Sequence, residues 1–257
     1  MRTSSGNRHF LAVAALAATL PGAAAADAQE HAAHWSYSGA HGPDHWGTED
    51  PAFATCSSGH RQSPIDIETA TTAALPAIEF SYKAFPLTIT DTHHTFQDNV
   101  PAGSGGITVG GEHYDLVQFH FHDPSEERIH GKRQAMVAHL VHKNAKGELA
   151  VVAVLIHAGA ANPFLEPIFD NFPAEGTESK VTGTNVDLMR LLPSQRGYYT
   201  FDGSLTTPPC SEQVRWFVLK EPVEASSAQI AQFARRYPHN ARPTQPLNAR
   251  KVEQTAD

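Results

Sequence analysis

The sequence of 257 residues is poor in several features that mark large protein classes. It has two cysteines, too few for a disulfide-stapled mini-protein, and at this length a chain buries a core without staples. Lys and Arg total 19 against 27 Asp and Glu, a formal charge of −8, and the basic residues form no runs. That balance argues against nucleic acid and anionic membranes as partners. Past the N-terminus no apolar run approaches the roughly 18 residues of a membrane span. There is no internal repeat, no low-complexity tract and no Gly/Ser-rich linker to divide two domains. Hydrophobic residues make up 40% and charged residues 18%, a globular composition. The abundant residue is histidine, with sixteen copies, and it makes metal chemistry worth testing.

The first residues read as an export signal. Arg2 and Arg8 form a positive start, Phe10 to Leu20 an apolar run, and Pro21-Gly22 a break. Small residues then offer cleavage after Ala26 or Ala28, so residues 1–26 are expected to be removed. The competing reading is a membrane anchor, for which the run is short. The exported product is expected in the periplasm or secreted, with no membrane span. In such a compartment Cys56 and Cys210 are expected to pair, and closing so long a loop contributes about 5 kcal/mol in the chain-entropy model. Two free thiols are the alternative.

Most periodic segments alternate with period two: Ile78–Tyr82, Leu87–Asp91, Ile107–Val109, Tyr114–His122, Gln134–His142, Val151–His157 and Val214–Leu219. Short strands between turn residues predict one β-dominated domain. Three short helices are expected. One is capped at Ser226/Ser227 and carries Ile230, Phe233 and Tyr237 on one face; one follows Asn162-Pro163; one runs from Asn185 through Leu191 to a stop at Pro193.

The chemistry centres on Gln118-Phe119-His120-Phe121-His122. Residues i and i+2 share a strand face, so His120 and His122 point one way and the two Phe the other. An adjacent antiparallel strand could bring His139 beside them. Three neutral imidazoles with a fourth position open form the pattern of a catalytic zinc site. His113, His130, His142 and His157 compete by similar spacing, but His142 is an odd step from His139 and should face away.

QFHFH at 118–122, AHLVHK at 138–143, SLTTPPCSE at 204–212, QSPIDI at 62–67 and NARPTQPLN at 240–248 resemble the α-class carbonic anhydrases of the bacterial exported type. HWSYSGAHGPDHW at 34–46 fits that family's N-terminal segment, and the likeness covers residues 34–250 in order. The resemblance implies a mainly β (α+β) single domain, a twisted, mostly antiparallel sheet of about ten strands with short peripheral helices. It implies reversible hydration of CO2 to bicarbonate by zinc-bound hydroxide, with sulfonamides and anions as inhibitors and activity on small activated esters. Residue by residue, it implies zinc ligands His120, His122 and His139, a threonine–glutamate relay of Thr206 and Glu126, and bicarbonate contact by Thr207. It implies an apolar CO2 wall of Val141, Val151, Leu205, Val214 and Trp216. It also implies a proton shuttle at His94, with Tyr37 and Gln97 ordering water, and support of His120 by Gln118 and of His122 by a carbonyl near Asn240.

The sequence departs from the family at four positions. Val137 stands where a glutamate supports the third ligand, and such partners are worth 10–100-fold in metal affinity or activity. Glu127 stands where His is usual, so Glu127 is expected to carry its carboxylate to His139 instead; Phe201 replaces a common tyrosine in the same region. His93 replaces a glycine beside the shuttle, which leaves two candidate shuttles side by side. A non-catalytic zinc-binding domain of the same fold and a zinc carrier are the competing functions.

Overall fold

The computed structural model describes residues 35–256, so the expected export signal lies outside the described residues. Fifteen strands run through them: β1 (Asp66–Ile67), β2 (Thr71–Ala73), β3 (Ile78–Phe80), β4 (Phe85–Asp91), β5 (Phe96–Asn99), β6 (Gly106–Val109), β7 (Glu112–His122), β8 (Arg128–Ile129), β9 (Met136–Lys143), β10 (Leu149–Ala158), β11 (Glu178–Val186), β12 (Tyr198–Ser204), β13 (Glu212–Leu219), β14 (Val223–Ala225) and β15 (Glu253–Thr255). Ten of them form one path in the order β11-β4-β5-β7-β9-β10-β13-β12-β15-β2. The central pairs β5–β7, β7–β9 and β9–β10 are antiparallel, and β10–β13 is parallel. The mainly β, roughly ten-stranded expectation therefore holds, and the sheet continues past residue 250 through β15.

The sheet has a core on each face. In β9, Met136, Ala138 and Leu140 join a large aromatic-rich core, while Val137 and Val141 join a smaller aliphatic one. In β10, Ala150, Val152, Val154 and Ile156 face the first core, and Val151, Ala153 and Leu155 the second. Strands buried on both faces read as continuous apolar runs, which is why these two show little polar alternation.

A break in register between Leu116 and Gln118 of β7 decides where the histidines point. Tyr114 and Leu116 face the aromatic core before it, and Phe119 and Phe121 face that core after it. One extra residue, Val117, therefore changes even-numbered core positions into odd-numbered ones, as a β-bulge does. Gln118, His120 and His122 are thereby turned to the opposite face.

The helices are short. The helix Ser227–Arg236 starts as expected: Ser226 and Gln229 form a reciprocal capping box, and Phe233 is buried. The segment after Asn162-Pro163 forms one turn, Glu166–Phe169. The helix expected from Asn185 does not form: Asn185 pairs with Pro86 at the end of β11. A 3₁₀ turn, Leu188–Arg190, starts instead at Asp187, whose carboxylate accepts the Met189 N–H at 3.0 Å. The Asp cap sets the start. Strands β5, β11 and β12 are the longest of those the sequence does not predict. Phe-Gln-Asp-Asn is polar for a strand, β11 alternates exposed and half-buried residues, and the Asp202-Gly203 turn signal lies inside β12. Gly203 is needed there for another reason, because a Cβ would stand 2.7 Å from the Trp216 ring.

Candidate metal centre

Strand pairing brings the three histidines together. His120 of β7 lies opposite His139 of β9, with His122 two residues along. One nitrogen of each lies within 4.8 Å of the others, and this is the one such cluster among the described residues. The arrangement expected from spacing is therefore present, and the competitors stand elsewhere. His142 faces the other core and meets the Tyr82 hydroxyl at 2.9 Å. His113 sits beside Asp115, His157 beside Glu224, and His130 in a turn at φ 51°.

The outer nitrogens of the ligand rings are all engaged. His120 Nδ1 lies 2.8 Å from Gln118 Oε1, and His122 Nδ1 lies 2.7 Å from the Asn240 carbonyl. His139 Nε2 lies 3.1 Å from Glu127 Oε1 and 3.4 Å from Oε2. Each partner is an acceptor, so each of these nitrogens carries a hydrogen. The lone pairs left are on His120 Nε2, His122 Nε2 and His139 Nδ1. Burial lowers the pKa of all three rings, that of His122 to about 4, so they are neutral. His122 Nε2 is buried without a hydrogen-bond partner. Neutral imidazoles with converging lone pairs and an unsatisfied buried nitrogen fit a zinc ion.

Glu127 is the finding that sequence position alone leaves open. Its carboxylate is buried and reaches His139 from the turn after β7, while Val137 is fully buried in the aliphatic core. The charge expected two residues before His139 is supplied ten residues before Val137 in the chain. Phe201 packs in the same core, its ring parallel to that of Trp216. Burial raises the Glu127 pKa to about 7, opposed by His122 and Arg133 nearby.

Glu126 is fully buried and points at the same cluster, with Oε2 3.5 Å from His122 Nε2. Burial, then the neighbouring Glu127, raises its pKa to about 8; hydrogen bonds from the Thr206 side chain and the Arg242 N–H (2.7 Å to Oε1) oppose this. Thr206 and Thr207 occupy the turn before Cys210. The disulfide Cys56–Cys210 closes that turn, the Cys210 N–H donates to the Thr207 carbonyl at 2.8 Å, and Gln62 donates to the Cys210 carbonyl at 3.0 Å. The expected disulfide thus braces the threonine pair.

The apolar residues expected to face CO2 lie in one cluster. Val141, Val151 and Trp216 are in register across β9, β10 and β13, with Val214 buried and Leu205 half-buried beside them. The Trp216 ring meets His139 edge-on at 5.0 Å.

A pocket of about 190 Å³ opens over two of the three histidines, His120 and His122, and is lined also by Thr207, His94, Tyr37 and Gln97; His139 lies behind its lining. Tyr37 has a buried hydroxyl whose pKa is raised by burial and by Glu126. Gln97 pairs with His120 across the strands and donates to Asn99 at 2.6 Å. His94 lines the pocket, whereas His93 lies 3.5 Å from the exposed Glu175. Two residues escaped the sequence reading, Trp35 and Arg242, as did the side-chain bonds of Asn240, of which only the carbonyl support of His122 is expected. Trp35 stacks on the His94 ring, with centroids 3.5 Å apart. Buried Arg242 binds Gln62, Ser63 and Cys56. The Asn240 carboxamide donates to the His94 and Phe121 carbonyls and accepts the Asp123 N–H. The motif NARPTQPLN held Asn240 and Arg242, but nothing in it says that one asparagine joins a ligand to the pocket mouth.

Comparison with known proteins agrees with this geometry. The model of the eukaryotic-type carbonic anhydrase family matches residues 41–256. A carbonic anhydrase of Klebsiella pneumoniae is 42% identical over 254 residues, covering 98% of this chain and 99% of its own. The α-carbonic anhydrase of Thermovibrio ammonificans, solved with the inhibitor sulfanilamide, matches with a TM-score of 0.83 at 43% identity, over 86% of this chain and 99% of its own. The Photobacterium profundum α-carbonic anhydrase matches with a TM-score of 0.80 at 44% identity, over 85% of this chain and 99% of its own. The chain therefore belongs to the eukaryotic-type, or α, carbonic anhydrase family, enzymes of CO2 hydration.

Proposed function

We propose that this carbonic anhydrase is a zinc enzyme that interconverts CO2 with bicarbonate and a proton, within a domain of residues 34–250 or slightly beyond. The observation that carries the reading is the set of three neutral imidazoles whose lone pairs converge beside Thr206 and Glu126. His120, His122 and His139 would hold the metal. Zinc on three imidazoles supplies a Lewis acid that ionises a water near neutral pH, a property for which carbonic anhydrases are the reference case. Glu127 holds His139 in the tautomer that presents Nδ1, the task Gln118 performs for His120.

Thr206 donates its hydroxyl hydrogen to Glu126. Its oxygen can then only accept from the nucleophile, which orients a lone pair toward the substrate carbon. Thr207 binds the bicarbonate product. Val141, Val151, Leu205, Val214 and Trp216 give apolar CO2 a surface that water does not contest. His94 carries the released proton out of the pocket, since imidazole changes charge near neutral pH, and Tyr37 and Gln97 order water between it and the site. The enzyme is exported to the periplasm or beyond, in keeping with its disulfide.

The test is stopped-flow CO2 hydration on the purified mature protein, with zinc measured on the same sample. Fast hydration blocked by an aryl sulfonamide, at about one zinc per chain, is expected. Full zinc without hydration would make this a binding protein instead.

A further inference from the structure

The turn that carries His94 is built in an unfavourable way. Asp91 of β4 pairs with Phe96 of β5, and the Thr92 N–H donates to the Thr95 carbonyl at 2.9 Å. His93 and His94 are therefore the two central residues of a tight hairpin. His93 has φ 67°, the left-handed region. Tight hairpins with positive φ at the first central position prefer glycine there, because a Cβ is crowded. A histidine held in that position needs something that outweighs the strain.

The compensating group is the Asp91 carboxylate, which is buried at 4% exposure. Its Oδ1 accepts the His93 N–H at 2.8 Å and the Gly176 N–H at 3.2 Å. Its Oδ2 accepts the Tyr237 hydroxyl at 2.6 Å and Arg236 Nη2 at 2.7 Å. One carboxylate thus ties the hairpin to the turn at Gly176 and to the end of the Ser227–Arg236 helix. On the far side of the turn, the His94 carbonyl is held by Asn240 and the His94 ring by Trp35. Gly176 completes the fit, since a Cβ there would stand 2.9 Å from the His93 ring.

We propose that Asp91 is a positioning residue for proton exit: it locks the His93–His94 turn so that the His94 ring stays in the pocket against Trp35. The inference rests on the reading of His94 as proton carrier. Asp91 touches no reacting atom, so it should act on the rate of proton transfer and not on substrate attack. Asparagine is no substitute, because its NH2 would face donors on one side or the other.

The experiment compares the zinc-loaded wild type with Asp91→Ala, Asp91→Asn and Tyr237→Phe. In weak buffer, Asp91→Ala is expected to lower kcat about tenfold with kcat/KM changed less than about twofold, and added imidazole buffer should restore kcat. Tyr237→Phe, which keeps the carboxylate, should show a smaller loss of the same kind. Adding His93→Gly to Asp91→Ala should recover part of kcat, because glycine accepts the turn unaided. A second readout needs no turnover: the His94 ring protons in NMR should carry the upfield shift of the Trp35 stack and lose it in Asp91→Ala. Parallel falls in kcat and kcat/KM without imidazole rescue would overturn the proposal, as would unchanged His94 shifts in folded Asp91→Ala and Asp91→Asn. A wild type that binds zinc but does not hydrate CO2 would refute the catalytic reading alone, since the NMR comparison still decides whether Asp91 sets the turn.

Discussion

His139 and His142 lie three residues apart on β9, and both are buried, yet they belong to different chemistries. His142 faces the aromatic core and meets one partner, the Tyr82 hydroxyl, in a setting where burial lowers its pKa to about 3. His139 faces the aliphatic core, with a carboxylate on one nitrogen and two more imidazoles beside the other. Burial makes both rings neutral. What separates a ligand from a core residue is the partner that fixes the tautomer and the company kept by the free lone pair.

Removing each ring in turn separates the two roles. His139→Ala should abolish bound zinc and lower CO2 hydration by at least about 10³-fold. His142→Ala should keep stoichiometric zinc and lose stability instead, by about 2–4 kcal/mol, seen as a lower denaturation midpoint. Equal zinc loss in both variants would erase the distinction.

A second contrast concerns buried carboxylates on the two faces. Asp98 is fully buried in β5 beside Phe96, and burial raises its pKa from 3.8 to about 7, with only the Thr88 N–H opposing. A carboxyl raised in the folded state binds its proton more tightly there than in the unfolded chain. Its contribution is complete below about pH 4 and is lost as pH rises toward 7, by at most about 4 kcal/mol. Asp98→Val should therefore flatten the pH dependence of the denaturant midpoint between those limits and raise stability at pH 8. An unchanged slope would show that the carboxyl finds water or a cation. Glu127, by contrast, faces imidazoles, and a metal beside them favours its charged form.

The smallest effect expected belongs to Glu127 itself. Glu127→Ala should speed zinc loss to a chelator about 10–100-fold. Adding Val137→Glu should recover part of it, because that position also faces the ligand cluster. No recovery would mean that the approach from the turn after β7 is the one the site accepts.

Much of this could be read from residue order. Period two placed His120 and His122 on one face, and an antiparallel neighbour placed His139 beside them. The capping box at Ser226 was equally local. What escaped depended on distance in the chain. The Asn240 carboxamide reaches the His94 carbonyl, more than a hundred residues away, and the polar strands β5 and β11 form because neighbours bury or pair them. Asn185 was misread because the capping strength of Asp187, two residues on, outweighs it.

The bulge at Val117 makes the site depend on the length of β7. Whether the two Phe or the two His of β7 look into the pocket is a matter of parity, set by a single uncompensated residue. Substitutions along this strand change the site by degrees, but deletion of one residue would exchange its faces wholesale, delivering imidazoles to the aromatic core and benzyl groups to the metal. In any lineage or library built on this fold, length through residues 114–119 is therefore more tightly held than the identity of the exposed side chain that makes the bulge.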